Sequence, residues 1–171
     1  SNPYNSYALQ TDSWLKGRLD LGQDYPWLEL AIYQGKYFVS FPPFPSYVLI
    51  PFVMIFGANT PDHLIALFVT IAGCVYAIKL YREVSFEKEH ALFWVLMLYF
   101  ASGYLFVGMN GYVWFIAQSM SFTLSLMALY YALRQKGGLS LAFWACAVGC
   151  RPMLALYGTK RKIRKEQYGS L

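Results

Sequence analysis

Gly35-Lys36-Tyr37-Phe38-Val39-Ser40-Phe41-Pro42-Pro43-Phe44-Pro45 is the stretch that divides this sequence. Before it the chain is polar and rich in aromatic rings. After it come long apolar runs, the first continuing through Ser46-Tyr47-Val48-Leu49-Ile50-Pro51 to Gly57. Pro42, Pro43 and Pro45 remove backbone donors and fix φ, so the apolar run does not open as an ordinary helix interior. A chain that meets a bilayer through such a segment is expected to shape a site at the membrane surface.

Composition supports a membrane setting. Of 171 residues, 57% are apolar, 19% aromatic and 13% charged, against about 25% charged in soluble domains. The net charge of +5 does not predict a nucleic-acid partner. The basic residues punctuate apolar runs and form no stripe interleaved with aromatics. The segment Ser1-Asn2-Pro3-Tyr4-Asn5 holds no initiator Met and no leading apolar segment, so the chain is expected to be part of a longer one. Cys74, Cys146 and Cys150 all lie inside apolar runs and read as buried thiols.

Residues 1–62 read as an external loop carrying short juxtamembrane helices. Ser6 to Lys16 is a first helix with Gly17 as its stop. Trp27 to Tyr33 is expected to give another turn or two of helix, and Gln34-Gly35 a turn. Trp and Tyr rings are frequent here and suit the membrane–water interface. The prolines leave a short helix from Ser46 to Gly57, so residues 44–57 read as interfacial or re-entrant and not as a crossing.

Four apolar spans follow within residues 63–158, at about 64–80, 91–109, 112–133 and 139–157. The fold class expected is therefore all-α, a polytopic membrane bundle of about four transmembrane helices. Residues 159–171 form a basic tail, expected to be disordered. Lys79, Arg82 and Lys88 follow the first span, and Arg134 and Lys136 follow the third. The turns at Asn59-Thr60-Pro61-Asp62 and Asn110-Gly111 carry no Lys or Arg. The positive-inside rule then places residues 1–62 on the outer side of a plasma membrane, with bacterial origin as the expectation. The run Lys160 to Lys165 would fall outside in this scheme, against the rule.

Arg151 is the sharpest chemical signal. It is expected a few residues past the middle of the last span, where an ionisable group is costly and functional by default. Pro152 behind it would kink the helix and open a polar pocket suited to a phosphate. Asp12, Asp24 and Glu29 precede the Pro-rich stretch; one can serve as general base, or two can hold a divalent cation. Trp114 and Gln118, near the outer end of the third span, read as cavity-lining. His63 and His90 sit at span ends and read as capping or interfacial groups.

In order along the chain come Trp14-Leu15-Lys16-Gly17-Arg18-Leu19-Asp20-Leu21, Tyr33 to Pro43, Val113-Trp114-Phe115-Ile116-Ala117-Gln118 and Gly149-Cys150-Arg151-Pro152. Together they resemble the N-terminal part of a GT-C membrane glycosyltransferase, of the protein O-mannosyltransferase and aminoarabinose-transferase type. The resemblance covers most of residues 1–157. It implies transfer of a sugar from a polyprenyl-phosphate donor at the outer face, with membrane lipid and that donor as partners. It further implies that Arg151 binds the donor phosphate with Lys36 nearby, and that a carboxylate among Asp12, Asp24 and Glu29 is catalytic. The family places a carboxylate just after its first span; Ser1 to Asn5 holds none, and Asp12 is the nearest. A lipid or sugar transporter or flippase component, and an inactive truncated membrane protein, are the alternatives.

Overall fold

The computed structural model describes residues 4–156. The protein is mostly helical, at 71%, with seven α-helices among the described residues. The first, α1 (Ser6–Leu15), stops where Gly17 takes φ +75°. The chain then crosses a loop into β1 (Leu30–Tyr33) and β2 (Lys36–Val39), an antiparallel hairpin in which Leu30 faces Val39 and Tyr33 faces Lys36. This corrects the helical turn expected at Trp27 to Tyr33. Gln34 and Gly35 both adopt positive φ, 50° and 72°, the left-handed pair that a two-residue hairpin turn demands. Once that turn forms, Leu30 to Tyr33 finds its backbone partners across the strand.

The Pro-rich stretch opens α2 (Phe44–Phe56) with proline in its first turn, where the missing N–H leaves no orphan. Helices α1 and α2 run antiparallel, tied by a buried polar knot. The Thr11 hydroxyl reaches the carbonyls of Tyr7 at 2.8 Å and Ser46 at 2.9 Å, and the Ser46 hydroxyl donates to Gln10 Oε1 at 2.6 Å. At the other end of the pair, Asn5 Nδ2 donates to the Ala58 carbonyl at 2.9 Å.

Next come α3 (Asp62–Val84), α4 (Ala91–Ala101), α5 (Tyr104–Met109), α6 (Val113–Leu133) and α7 (Gly137–Cys150). Helices α3 and α6 are long and apolar enough to cross a membrane. They run parallel, in contact from the Gly111–His63 pair at one end to a Tyr76–Tyr131 hydroxyl pair, 3.0 Å apart, towards the other. Arg134 and Glu83 close that second end with a 3.3 Å ion pair. The α4–α5 pair and α7 return in the opposite sense, so the chain makes four passes. One end of the bundle carries Asp62, Asn110, Trp114 and Arg151; the other carries Arg82, Lys88, Arg134 and Lys136.

Both ends of α2 lie at the Arg151 end. Phe44 at its start packs on Gly149 of α7, and its last turn leads through Gly57–Asn59 into the first residue of α3. Its buried Leu49 and Val53 join Ile65, Ala66, Ile116, Ala117 and Met120 in the main core.

Two of the expected spans are interrupted. Residues 91–109 do not form one helix, because Gly103 adopts φ +68° and separates α4 from α5. Ser102 helps bridge the gap: its hydroxyl donates to the Leu98 carbonyl and accepts from the Tyr104 amide. Only glycine takes that backbone conformation without strain. Gly103→Ala is expected to lower stability by about 1 kcal/mol, read as a lower thermal midpoint in detergent. The last span also stops early, as described next.

Candidate functional site

Helix α7 ends at Cys150, and Arg151 is extended, at φ −141° and ψ 99°. Proline at position 152 disfavours the helical region for the residue before it, so the chain leaves the helix there and makes a 3₁₀ turn over Pro152–Leu154. The expectation of Arg151 near the middle of a span is therefore corrected. It lies at the bundle end, with its side chain exposed, and Nη2 donates to the Trp114 carbonyl at 3.1 Å.

That contact places Arg151 against a wall of rings. Trp114 is half-buried, with Tyr4 at 5.7 Å and Phe41 at 6.3 Å between ring centres. Phe41, from the Pro-rich stretch, also meets Tyr7 of α1 at 6.4 Å. Residues from the N-terminal segment, α6 and α7 thus converge beside one guanidinium. Tyr7 is 2% exposed and among the described residues its hydroxyl has no hydrogen-bond partner. Burial pushes its phenol well above the ordinary range, the neighbouring Cys150 thiol adds to this, and Arg151 partly offsets it.

The remaining expected site residues are not gathered there. Gln118 lies on the same α6 face as Trp114, one turn on, and is exposed. Asp24 and Glu29 are exposed in the loop before the hairpin, and Lys36 is exposed at the start of β2. The part of Glu29 that is engaged is its backbone carbonyl, which accepts from the Ser40 hydroxyl at 2.8 Å. Asp12 sits elsewhere, paired to Lys16 at 2.6 Å on the rim of a polar cavity of about 180 Å³. Among the described residues, no three His, Cys, Asp or Glu side chains come together as a metal-ligand set. The basic tail lies outside the described residues.

Asp62 is the group that the sequence does not single out. It opens α3, is 4% exposed, and among the described residues neither carboxylate oxygen has a hydrogen-bond partner. It shares a narrow cleft with Tyr4, Asn5, Tyr7, Gly111 and Val113, too tight for a water molecule. In the sequence it reads as one more polar residue in a turn; its burial arises only when Gly111 and α1 close over it. The neighbouring His63 accepts the Gly111 amide at 3.1 Å and so ties the start of α3 to the turn before α6.

Compared with known proteins, the chain matches no family model, no curated protein and no solved structure.

Proposed function

We propose that this chain is part of a membrane glycosyltransferase that takes a sugar from a polyprenyl-phosphate donor at the outer membrane face. The observation that carries this reading is the placement of Arg151. Its planar, permanently charged fork stands exposed at the bundle end, beside an aromatic wall, and is engaged here with one backbone carbonyl. Guanidinium groups recognise phosphate through parallel charge-assisted hydrogen bonds, and rings such as Trp114 and Tyr4 settle at the membrane–water boundary.

The membrane setting is supported by the apolar residues that α3 and α4 leave uncovered. Phe68 is 69% exposed and Phe100 63%, on faces that no other described residue covers. A core helix of a soluble protein would bury such residues; lipid covers them at no cost. In this setting the Arg82, Lys88, Arg134 and Lys136 end is cytoplasmic, and the four passes return the Arg151 end to the outside. Helix α2, with both ends on that side, lies at the surface as an interfacial element. Polyprenyl phosphate then approaches Arg151 from the outer leaflet, and a carboxylate, Asp12 of α1 or Asp24 or Glu29 of the loop before the hairpin, serves the acceptor.

Two measurements test this. Arg151→Ala is expected to weaken binding of a fluorescent polyprenyl phosphate in nanodiscs by about tenfold, the worth of one charge-assisted contact. Unchanged binding would remove the phosphate assignment. A cysteine placed at Gln34, on the hairpin turn, is expected to react with an impermeant maleimide only from outside the cell. Labelling only from the cytoplasmic side would sink the orientation and the donor face together.

One feature favours a second reading, a lipid or sugar flippase. The break at Gly103 parts α4 from α5, Tyr104 just after it donates to the Ser119 carbonyl at 3.3 Å, and interrupted helices within a bilayer line transport paths. Movement of a labelled lipid across reconstituted vesicles, without sugar transfer, would favour it.

A further inference from the structure

The cavity at the end of α1 has a lining that the proposed donor site does not use. Gly17 turns the chain back, and the loop that follows folds over the last turn of α1. Buried Leu21 pins that loop, its amide donating to the Tyr37 carbonyl at 2.9 Å. Asp20 Oδ2 accepts the Gly22 amide at 3.1 Å and fixes the turn. The result is a pocket of about 180 Å³ whose polar lining is Asp12, Ser13, Lys16, Arg18, Gln23 and Tyr25.

Its charges are arranged unequally. Asp12 and Lys16 neutralise each other across 2.6 Å. Arg18 lies against Gly22, where a Cβ would collide with Nη1, so glycine is what lets the guanidinium rest there. Among the described residues Arg18 forms no ion pair and its side chain no hydrogen bond, leaving one net positive charge facing the cavity. Around it stand a hydroxyl, an amide that both donates and accepts, a fixed carboxylate acceptor and an aromatic ring.

This lining excludes several ligands. An acyl chain would find mostly polar walls, and a nucleotide exceeds the space. A divalent cation would meet two cationic side chains and a single carboxylate. A small ring bearing hydroxyls and one negative group satisfies every feature. We infer that this pocket binds one acidic sugar residue, a pyranose carrying a carboxylate, with its acid on Arg18 and its hydroxyls on Asp12, Ser13 and Gln23. The choice of a sugar over another small acid rests on the glycosyl-transfer reading; the demand for a single negative charge rests on the pocket alone.

The test uses the whole chain in lipid nanodiscs, with methyl glucuronide, methyl glucoside and inorganic phosphate as probes in titration and saturation-transfer NMR. Methyl glucuronide is expected to bind, with methyl glucoside about tenfold weaker. Arg18→Ala should bring glucuronide down to the glucoside level, while Arg18→Lys, which keeps the charge and loses the fork, should fall between. Circular dichroism matching the wild type shows that each variant is folded. Equal binding of the two glycosides, or an Arg18→Ala variant that binds glucuronide like the wild type, would overturn the assignment. Phosphate binding as tightly as glucuronide would overturn its sugar half. Arg151→Ala should leave glucuronide binding intact. Loss of the glucuronide site with polyprenyl-phosphate binding retained refutes this pocket and spares the donor site; the reverse result refutes the donor site and spares the pocket.

Discussion

Gly111→Val is expected to destabilise the protein by about 3 kcal/mol, the upper end for overpacking. Even the Cβ that valine and alanine share would lie 2.6 Å from both the Asp62 carbonyl carbon and the His63 nitrogen, and these are backbone atoms. A flexible side chain could swing away from such a clash; the first turn of α3 can do so only by separating from the start of α6. That separation would also break the Gly111–His63 hydrogen bond and open the cleft over Asp62. The check is a denaturant or thermal series in detergent, comparing Gly111→Ala, Gly111→Val and Gly138→Ala. Gly138 has nothing near its Cβ position, so it reports intrinsic glycine effects alone. If Gly111→Val behaved like Gly138→Ala, the close approach of α3 and α6 at this end would be wrong.

Asp62→Asn is expected to act in the opposite direction, raising stability by on the order of 2 kcal/mol. Among the described residues no donor reaches this carboxylate, so its charge carries a desolvation penalty. The helix N-terminus recovers part of that penalty, because the α3 dipole favours negative charge at its first residue. An amide of the same shape removes the charge and keeps the fit. The measurement is the unfolding midpoint of Asp62→Asn against wild type and against Asp24→Asn, an exposed control. A fall in stability for Asp62→Asn alone would show that the carboxylate meets a cation in the working protein.

Much of the helical layout is legible in the sequence. Gly17 marks the end of α1, uncharged runs place α3 and α6, and Gln34-Gly35 announces its turn. The strand at Leu30 to Tyr33 is not legible, because four apolar residues are too few to show a period and the deciding partner lies beyond the turn. The break at Gly103 hides for a different reason. A glycine within a long uncharged run costs little in composition, and only its left-handed backbone reveals the interruption. In the last span Pro152 reads as a kink, and the extended Arg151 before it makes it an end instead.

The candidate site divides in the same way. Arg151 stands out as a lone cation past the middle of its span and Trp114 as a ring near a span end, and the structure joins them through one hydrogen bond at the bundle end. Asp62 and Tyr7 do not stand out, since their isolation from water is made by packing between segments far apart in the chain. Arg18 is likewise unremarkable as text; it gains meaning only when Gly22 returns beneath it.

The position of α2 has a consequence for biogenesis. Its apolar surface, Leu49 and Val53, rests on residues of α6, and Phe44 rests on α7. During synthesis α1 and α2 emerge before α6 and α7, the helices that pack on α2. Before α3, α6 and α7 are made, α2 has α1 to lie against, kept in place by the Thr11–Ser46–Gln10 knot. The aromatic wall of Tyr4, Phe41 and Trp114 therefore gains its guanidinium only after α7 has followed α6, and a nascent chain stalled before α7 would carry the wall without Arg151.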